Sequence, residues 1–181
     1  MSTAILPFSG TYDIDRTHSS VHFAVTHIVS TFRASFDDVE GRLVGNDDGT
    51  TLEASTRAES LSIVDPPEFR EHVVRGDDFF AAEAHPTISF RSARMGLEED
   101  GTASVSGDLV LRGLTGQVGA TGTFSPPTED PFGRTRMGLE LATTIDRRAW
   151  GMDWQMPLPN GGDALGWEVA IRASLELTKV Q

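Results

Sequence analysis

The strongest constraint on the fold of this chain is a period of two in its apolar residues. The clearest example is the segment 168–177, where every second residue is apolar and the others include Glu168, Arg172 and Glu176. Successive side chains of a strand point to opposite faces of a sheet, so this alternation predicts a strand with one buried and one wet face. Half-buried strands are typical of antiparallel sheets, because parallel strands are covered on both faces.

The same alternation recurs along the chain and predicts eight or nine strands. They lie near residues 10–15, 19–27, 36–44, 51–63, 86–95, 103–112, 116–124, 134–146 and 166–178. Two connections rich in Gly and Asp, "GNDDGT" and "LEEDGT", predict hairpin turns. Many half-buried strands have to protect the edges of their sheet, and closure into a barrel does this most completely. The predicted fold is therefore an all-β, antiparallel barrel of about eight strands.

The interior of a barrel of this size is either filled with side chains or holds one small ligand. Several positions predicted to face inward carry small residues. They are Ala54, Ala58, Gly107, Ala120, Gly122 and Ala173. Small inward residues leave room for a ligand, but they also occur at tight bends and beside large aromatic side chains. Both interpretations stay open at the level of sequence.

One segment, "DPPEFREHVVRG", predicts a helix rather than a strand. Asp65 is a suitable N-cap, Pro66 suits the first helical position, Glu68 completes a capping box, and Gly76 suits the end of the helix. The pair Phe79–Phe80 follows immediately. We expect this short helix near the barrel mouth, either as the cover of a ligand site or as a plug that only stabilises the barrel end.

The segment "DRTHSSVHFAVTH", residues 15–27, raises the question of a metal site. On a strand, His18 and His22 lie about 13 Å apart, whereas zinc ligands each lie about 2 Å from the metal. His27 has the opposite parity and faces the other side. The sequence therefore predicts no metal site.

A hydrolase site is disfavoured in the same segment. Adjacent His18 and Ser19 point to opposite faces of an extended chain, and no serine lies in a G-x-S-x-G elbow. We interpret Asp15, His18 and Ser19 as a turn or strand start in which Asp15 and Ser19 bond nearby backbone groups, and we expect no catalytic residues. His27 is aligned with the apolar inward set, either as a hydrogen-bonded core residue or as a polar contact to a ligand.

Composition argues against several further classes of protein. Acidic residues outnumber basic ones by 27 to 15, giving a net charge of -12, which argues against a nucleic-acid partner. Without cysteine there is no disulfide or thiolate site. The N-terminus lacks the pattern of a signal peptide, and no run approaches the ~18 apolar residues of a membrane span, so no stable membrane insertion is expected. We expect a cytoplasmic protein with a single domain over residues 1–181, of which 1–9 form a flexible lead.

Five stretches, taken in order, resemble a known family. They are "YDIDRTHSSVHFAVTH", "SFDDVEGRL", "REHVVRGDDFFAAEAHPTISFRS", "GDLVLRGLTGQV" and "IDRRAWGM". Together they are similar to the YceI-like, or polyisoprenoid-binding, proteins, and the resemblance runs from about Gly10 to Lys179. It implies a lipocalin-like barrel that binds a long isoprenoid chain, such as a polyprenyl phosphate or a quinone-type tail, without a cofactor. It also makes a homodimer a reasonable expectation.

These implications give a specific set of expected ligand contacts. The expected cavity lining is Phe23, Val25, Ile88, Phe90, Leu109, Leu111, Leu139 and Leu141. Four aromatic residues are expected around the mouth: Phe79, Phe80, Trp150 and Trp154. His27 would supply a polar contact, and Arg70 or Arg75 would face an anionic head group.

The leading hypothesis is a lipid carrier or storage protein. The alternatives are an enzyme acting on such a lipid, with His27 or His18 as acid–base group, and an empty, packed barrel acting as a stress or interaction protein.

Overall fold

Ten antiparallel strands form a barrel wall in the computed structural model, which describes residues 8–181. The strands are β1 (Gly10–Ile14), β2 (Ser20–His27), β3 (Ser30–Phe36), β4 (Val39–Asn46), β5 (Gly49–Arg57), β6 (Thr87–Leu97), β7 (Thr102–Leu111), β8 (Leu114–Glu129), β9 (Thr135–Asp146) and β10 (Leu165–Lys179). Between them lie one α-helix, α1 (Pro67–Arg75), and two 3-10 turns, Ala58–Ser60 and Arg147–Trp150.

The barrel closes because β1 pairs with both β4 and β10. In the described part of the chain this produces a ring of eight strands, β1 and β4 to β10. β2 continues along the same edge of β10 that β1 occupies, and β3 pairs with β2. Beyond β3 the wall is continued by an isolated bridge between Phe36 and Leu61. The predicted all-β, antiparallel, lipocalin-like barrel is confirmed.

The inward faces of the strands build two apolar layers, one at each end of the barrel. At one end, which we call the closed end, buried residues such as Tyr12, Leu43, Leu139 and Leu177 pack against one another. The other layer lies at the opposite end, which we call the mouth, and includes Val73 and other residues of the segment between β5 and β6. Inward residues between the layers are only partly buried, which indicates unfilled space inside the barrel.

The hairpins predicted from Gly and Asp are present, but one hairpin was missed. β4–β5 and β6–β7 turn at the two predicted stretches, both at the closed end. The β2–β3 hairpin turns through Ile28 and Val29, and Ile28 adopts a left-handed backbone with φ of 51°. That conformation favours Gly, Asn or Asp. Because none of these residues marks the turn, the sequence assigned no strand to 28–35.

Two predicted boundaries around the helix are also wrong. The strand predicted over 51–63 ends at Arg57, where the chain leaves the sheet and the Ala58 N–H donates to the carbonyl of Pro86. The helix begins at Pro67, with Pro66 as an N-cap in extended conformation and without a side-chain cap, so Asp65 is not the N-cap. The physical reason is that a residue preceding proline is pushed out of the helical region, and Pro66 precedes Pro67. Gly76 ends the helix as predicted.

Residues 1–7 of the predicted flexible lead lie outside the described residues, whereas Phe8 packs in the closed-end layer with its ring 5.4 Å from that of Tyr12. Among residues 8–181, no helix has the length and apolar character needed to cross a membrane.

Candidate functional site

An internal cavity of about 710 Å³ lies between the two apolar layers. Its wall is made mainly by the inward apolar residues of the strands, and α1 with the residues after it covers the mouth. The strand residues in the lining include Val21, Phe23, Val25, Phe32, Ile88, Phe90, Leu109, Leu111, Val118, Leu141, Ile145, Val169 and Ile171. Phe69, His72 and Val73 of α1, with Phe79, Phe80, Met152 and Trp154, complete it at the mouth. The arrangement is an apolar chamber that opens at one end.

Aromatic side chains organise the cover over the mouth. Phe80 packs edge-on against Phe36, with ring centroids 5.4 Å apart, and so fixes the residues after α1 to β3. Phe79 stacks on Trp154 at 5.7 Å, and His72 meets the edge of Phe79 at 5.1 Å. These contacts join α1 to the segment between β9 and β10, so two separate chain segments together cover the cavity.

The small residues predicted to face inward fall into two groups. Ala54, Ala120 and Ala173 line the cavity, where a larger side chain would reduce its volume. Gly107 and Gly122 instead lie where neighbouring backbones approach closely: a Cβ would fall 2.1 Å from the Arg91 carbonyl oxygen and 1.8 Å from that of Glu140. The alanines therefore leave space in the cavity, and the glycines allow the backbones of adjacent strands to lie close together.

Most of the residues expected to contact a ligand lie on the cavity wall. These are Phe23, Val25, His27, Phe79, Phe80, Ile88, Phe90, Leu109, Leu111, Leu141 and Trp154. His27 sits at the solvent-exposed rim rather than in the interior. The structure places the other four expected residues, Leu139, Trp150, Arg70 and Arg75, away from the lining.

The two arginines of α1 are held by other groups. Arg70 donates from Nη1 to the carbonyls of Leu61 and Ile63, at 2.6 and 2.9 Å, and from Nη2 to that of Glu59. Arg75 lies among carboxylates, donating to Glu59 at 3.2 Å and Glu71 at 3.3 Å. Arg70 thus fastens α1 to the preceding loop, and neither guanidinium faces the cavity.

Leu139 and Trp150 are buried, but in other places. Leu139 is fully enclosed in the closed-end layer, below the floor of the cavity. Trp150 packs over Gly116 at the start of β8, and its Nε1 donates to the Leu109 carbonyl at 3.1 Å. Parity along the strand correctly predicted that Leu139 faces the inside of the barrel. It does not predict the position of a residue along the barrel axis, between the mouth and the closed end.

A charged residue in the cavity wall, Arg147, was not selected as a ligand contact. Its side chain is buried, with 3% of the residue exposed, and it donates to the carbonyls of Gly166 at 2.8 Å and Met152 at 2.6 Å. It also lies over the ring of Trp167, 4.2 Å from the centroid. Burial lowers the pKa of its guanidinium. The motif "IDRRAWGM" contains this residue, and its parity with Leu141 and Ile145 places it on the inward face, opposite to exposed Arg148.

The segment around Asp15 forms a turn with local hydrogen bonds, as interpreted from the sequence, and it also belongs to a larger cluster. Asp15 and His18 lie in the turn between β1 and β2, 3.0 Å apart, and Glu176 joins them, so three possible metal donors lie within 4.8 Å of one another. Arg136 already bonds both carboxylates, at 2.8 Å to Asp15 and 2.5 Å to Glu176. Although burial acts in the opposite direction, hydrogen bonds from His18 and Arg136 hold the pKa of Asp15 well below its usual range. The cluster is an ion-pair network between the β1–β2 turn, β9 and β10, and its carboxylates already have a cationic partner.

Taken together, the closed ring, the apolar chamber and the helix-covered mouth define a lipocalin-like β-barrel with an internal cavity. The sequence model of the YceI-like domain matches residues 12–177, so the chain belongs to the YceI-like family. A UPF0312 protein of Staphylococcus aureus (strain USA300) is 28% identical over 170 residues, which cover 92% of this chain and 96% of the relative.

Solved structures show the same fold. BcnA of Burkholderia cenocepacia superposes with a TM-score of 0.71 at 16% identity, covering 90% of this chain and 98% of that protein. A polyisoprenoid-binding domain of Saccharophagus degradans, implicated in plant cell wall breakdown, superposes with a TM-score of 0.68 at 13% identity, covering 93% of this chain and 98% of that domain.

Proposed function

We propose that this protein binds a long-chain isoprenoid lipid inside the barrel, as a carrier or storage protein. The observation that carries the proposal is the cavity of about 710 Å³, walled by aliphatic and aromatic side chains. Its size falls within the range of ~300–1,000 Å³ typical of sites for small molecules and cofactors. The fold shared with a polyisoprenoid-binding domain of Saccharophagus degradans favours a prenyl chain as the ligand.

An apolar tail alone supplies enough free energy for such binding. Burial contributes about 25 cal/mol per Å² of apolar surface, so a tail that buries about 400 Å² gains about 10 kcal/mol before the cost of association. No charged anchor inside the barrel is needed. The carrier therefore selects its ligand by shape and apolar area, and polyprenyl phosphates and prenyl quinones both remain candidates.

The polar groups of the lining give the ligand an orientation. Exposed His27 and His72 lie at the mouth, and buried Arg147 lies in the wall beside Met152 and Leu165. The tail would extend toward the closed end, with the polar head at the mouth near His27 and Arg147. Because its guanidinium already donates to carbonyl groups, Arg147 would contribute positive charge near the head group rather than a direct hydrogen bond.

Native mass spectrometry of protein purified without detergent tests the proposal. The expected result is a bound mass that corresponds to a prenyl lipid. The Ala120→Phe variant fills part of the cavity and is expected to lose at least ten-fold in lipid occupancy. Ala170→Phe is the matched control, because Ala170 faces outward and lines a different, surface groove. A barrel that stays empty after incubation with prenyl lipids, or equal occupancy in both variants, would contradict the proposal.

The structure bears on the two alternatives in different ways. The cavity of about 710 Å³ argues against a barrel whose interior is filled with side chains and holds no ligand. An enzyme would depend on His27 at the mouth, since His18 lies in the Asp15 cluster rather than in the cavity lining. A His27→Ala variant that keeps its lipid affinity but loses chemical conversion of the bound lipid would favour the enzyme.

The expected homodimer and cytoplasmic location stay predictions, and light scattering tests the first.

A further inference from the structure

Several large apolar side chains are exposed beside the mouth of the cavity. Val29 is 94% exposed, Met156 58% and Ile28 48%, and Phe69 is also exposed while lining the cavity. We call these four residues the mouth rim. Single exposed apolar residues are common, but a group of them around the entrance to a cavity marks a surface that meets something apolar.

Backbone and ring contacts hold the mouth rim together. The Ile28 N–H donates to the Ala164 carbonyl at 2.8 Å, and the Ala164 N–H donates to that of Met156 at 2.9 Å, so the β2–β3 turn lies beside the β9–β10 connection. On the other side, Phe69 of α1 packs on Phe32 of β3, with ring centroids 5.7 Å apart. The rim is thus built from three chain segments that surround one opening.

Charges near the rim indicate what kind of surface it meets. Glu68 precedes Phe69, Asp153 and Asp163 flank the segment of Met156, and all three acidic residues are exposed. Mouth-to-mouth contact of two copies would bring these like charges together. An anionic membrane is disfavoured for the same reason, because the whole chain carries a charge of -12. A neutral, zwitterionic lipid surface accepts the apolar side chains without this repulsion.

We propose that the mouth rim docks transiently on a zwitterionic lipid bilayer and that the cavity is loaded and unloaded there. This inference rests on the proposed lipid-binding function, since a prenyl lipid resides in membranes and has to leave them to enter the barrel. Docking places the opening next to the acyl chains, so the tail passes between two apolar phases without crossing water. The rim provides contact area but does not insert a spanning segment.

The test measures loading from phosphatidylcholine vesicles that contain a prenyl quinone, a quencher of tryptophan fluorescence, with Trp154 in the lining as reporter. For the unaltered protein, the loading rate is expected to rise linearly with vesicle concentration. Val29→Asp combined with Met156→Asp is expected to slow loading at least ten-fold, because two apolar contacts become charged. Phe132→Asp is the matched control: Phe132 is 87% exposed but lies in the β8–β9 turn at the closed end.

Equilibrium binding of the quinone distinguishes docking on a bilayer from lipid binding in the cavity. The same quinone added from detergent micelles is expected to bind all three proteins equally, because Val29 and Met156 do not line the cavity. Equal loading rates for the rim variant and the Phe132 variant, or a rate independent of vesicle concentration, would overturn docking while leaving lipid binding intact. If no protein binds the quinone, the proposed function fails, and flotation of the protein with quinone-free phosphatidylcholine vesicles still decides docking.

Lipid charge and oligomeric state provide two further tests of docking. Replacing phosphatidylcholine by phosphatidylglycerol is expected to slow loading, and added salt to restore it, because salt screens the repulsion between anionic lipids and an acidic protein. If sedimentation shows that the rim substitutions dissociate a dimer while flotation with vesicles is unchanged, the rim is an interface between two copies, and docking on a bilayer is refuted.

Discussion

Ala120 and Gly122 lie two residues apart on β8 and both face inward, but they are small for different reasons. The Ala120 side chain borders the cavity, so its size sets the room left for a ligand. Gly122 lies against the backbone of β9, where a Cβ would be 1.8 Å from the Glu140 carbonyl oxygen. Replacing Ala120 is therefore expected to affect the proposed ligand binding, whereas replacing Gly122 is expected to affect the stability of the barrel.

The role of Gly122 can be measured by substitution with alanine. Gly122→Ala is expected to lower the free energy of unfolding by about 2–3 kcal/mol, because the added methyl forces β8 and β9 apart. Gly119→Ala is the matched control on the same strand, since its Cβ would find its nearest neighbour at an ordinary 3.8 Å. Urea denaturation of both variants measures the difference. Equal stabilities would show that the close approach of β8 and β9 does not require glycine at position 122.

At the scale of single residues, the sequence predicts the direction of a side chain better than its depth. Period two identified the inward set correctly, because every strand is pleated in the same way. Leu139 and Leu141 were therefore both assigned to the cavity, although Leu139 belongs to the closed-end layer and Leu141 reaches the cavity. Depth depends on how the strands are staggered in the closed barrel, and that register is set by distant parts of the chain.

Among the elements, β9 and β10 are tied to the β1–β2 turn by the carboxylates around Arg136. Its Nε bonds Asp130 at 2.7 Å while its Nη1 bonds Asp15 and Glu176. The hydrogen bond from Arg136 lowers the pKa of Asp130 to about 2. An aspartate in the unfolded chain titrates near 3.9. Between these two values the unfolded chain binds protons that the folded protein does not, so acid favours unfolding.

This linkage predicts the pH dependence of stability. The free energy of unfolding is expected to fall as the pH decreases from about 4 to 2. In Arg136→Gln the fall is expected to be shallower, since the cause of the low pKa has been removed. Arg91→Gln is the control, because its pair with Glu53 is exposed and contributes little. Urea midpoints at pH 7, 4 and 2.5 provide the measurement, and parallel curves for the two variants would contradict the assignment.

The connection between β9 and β10 depends on Arg147, whose guanidinium binds three carbonyl groups from Met152, Leu165 and Gly166. Lysine keeps the charge but cannot reach three acceptors with a planar group. Arg147→Lys is therefore expected to destabilise the connection by about 2–3 kcal/mol, because buried carbonyls lose their donors. Faster hydrogen exchange in residues 152–166 measures this, and Arg148→Lys, at an exposed neighbour, is expected to leave exchange unchanged.

Element boundaries show where local sequence signals end. The hairpins with Gly and Asp were predicted because such turns need those residues, whereas the turn at Ile28 is imposed by pairing of β2 with β3 and has no local signal. Similarly, parity separates inward Arg147 from outward Arg148, but two of the carbonyl partners of Arg147, at Leu165 and Gly166, have no local signal. Only the fold places Arg147 against three buried carbonyls and Arg148 beside Asp146.

For the whole molecule, the cavity results from closure of the barrel between two packed ends. The closed-end layer supplies much of the buried apolar core, and the layer at the mouth supplies the rest, so the wall between them does not have to be filled with side chains. Sequence composition left open both a filled interior and one with room for a ligand, because the enclosed volume depends on strand number and stagger together. The cavity is thus a property of the molecule rather than of any one motif.

A cavity of this kind predicts how affinity depends on the length of the prenyl tail. Each added isoprene unit extends the apolar area buried, at about 0.8 kcal/mol per buried CH₂, so the dissociation constant is expected to fall steeply with tail length. Once the tail reaches the closed-end layer, further units stay outside and affinity is expected to level off. Titration of prenols of increasing length, followed by tryptophan fluorescence, measures the curve. Ala120→Phe shortens the chamber and is expected to move the plateau to shorter tails. Affinity that does not change with tail length would instead assign recognition to the head group.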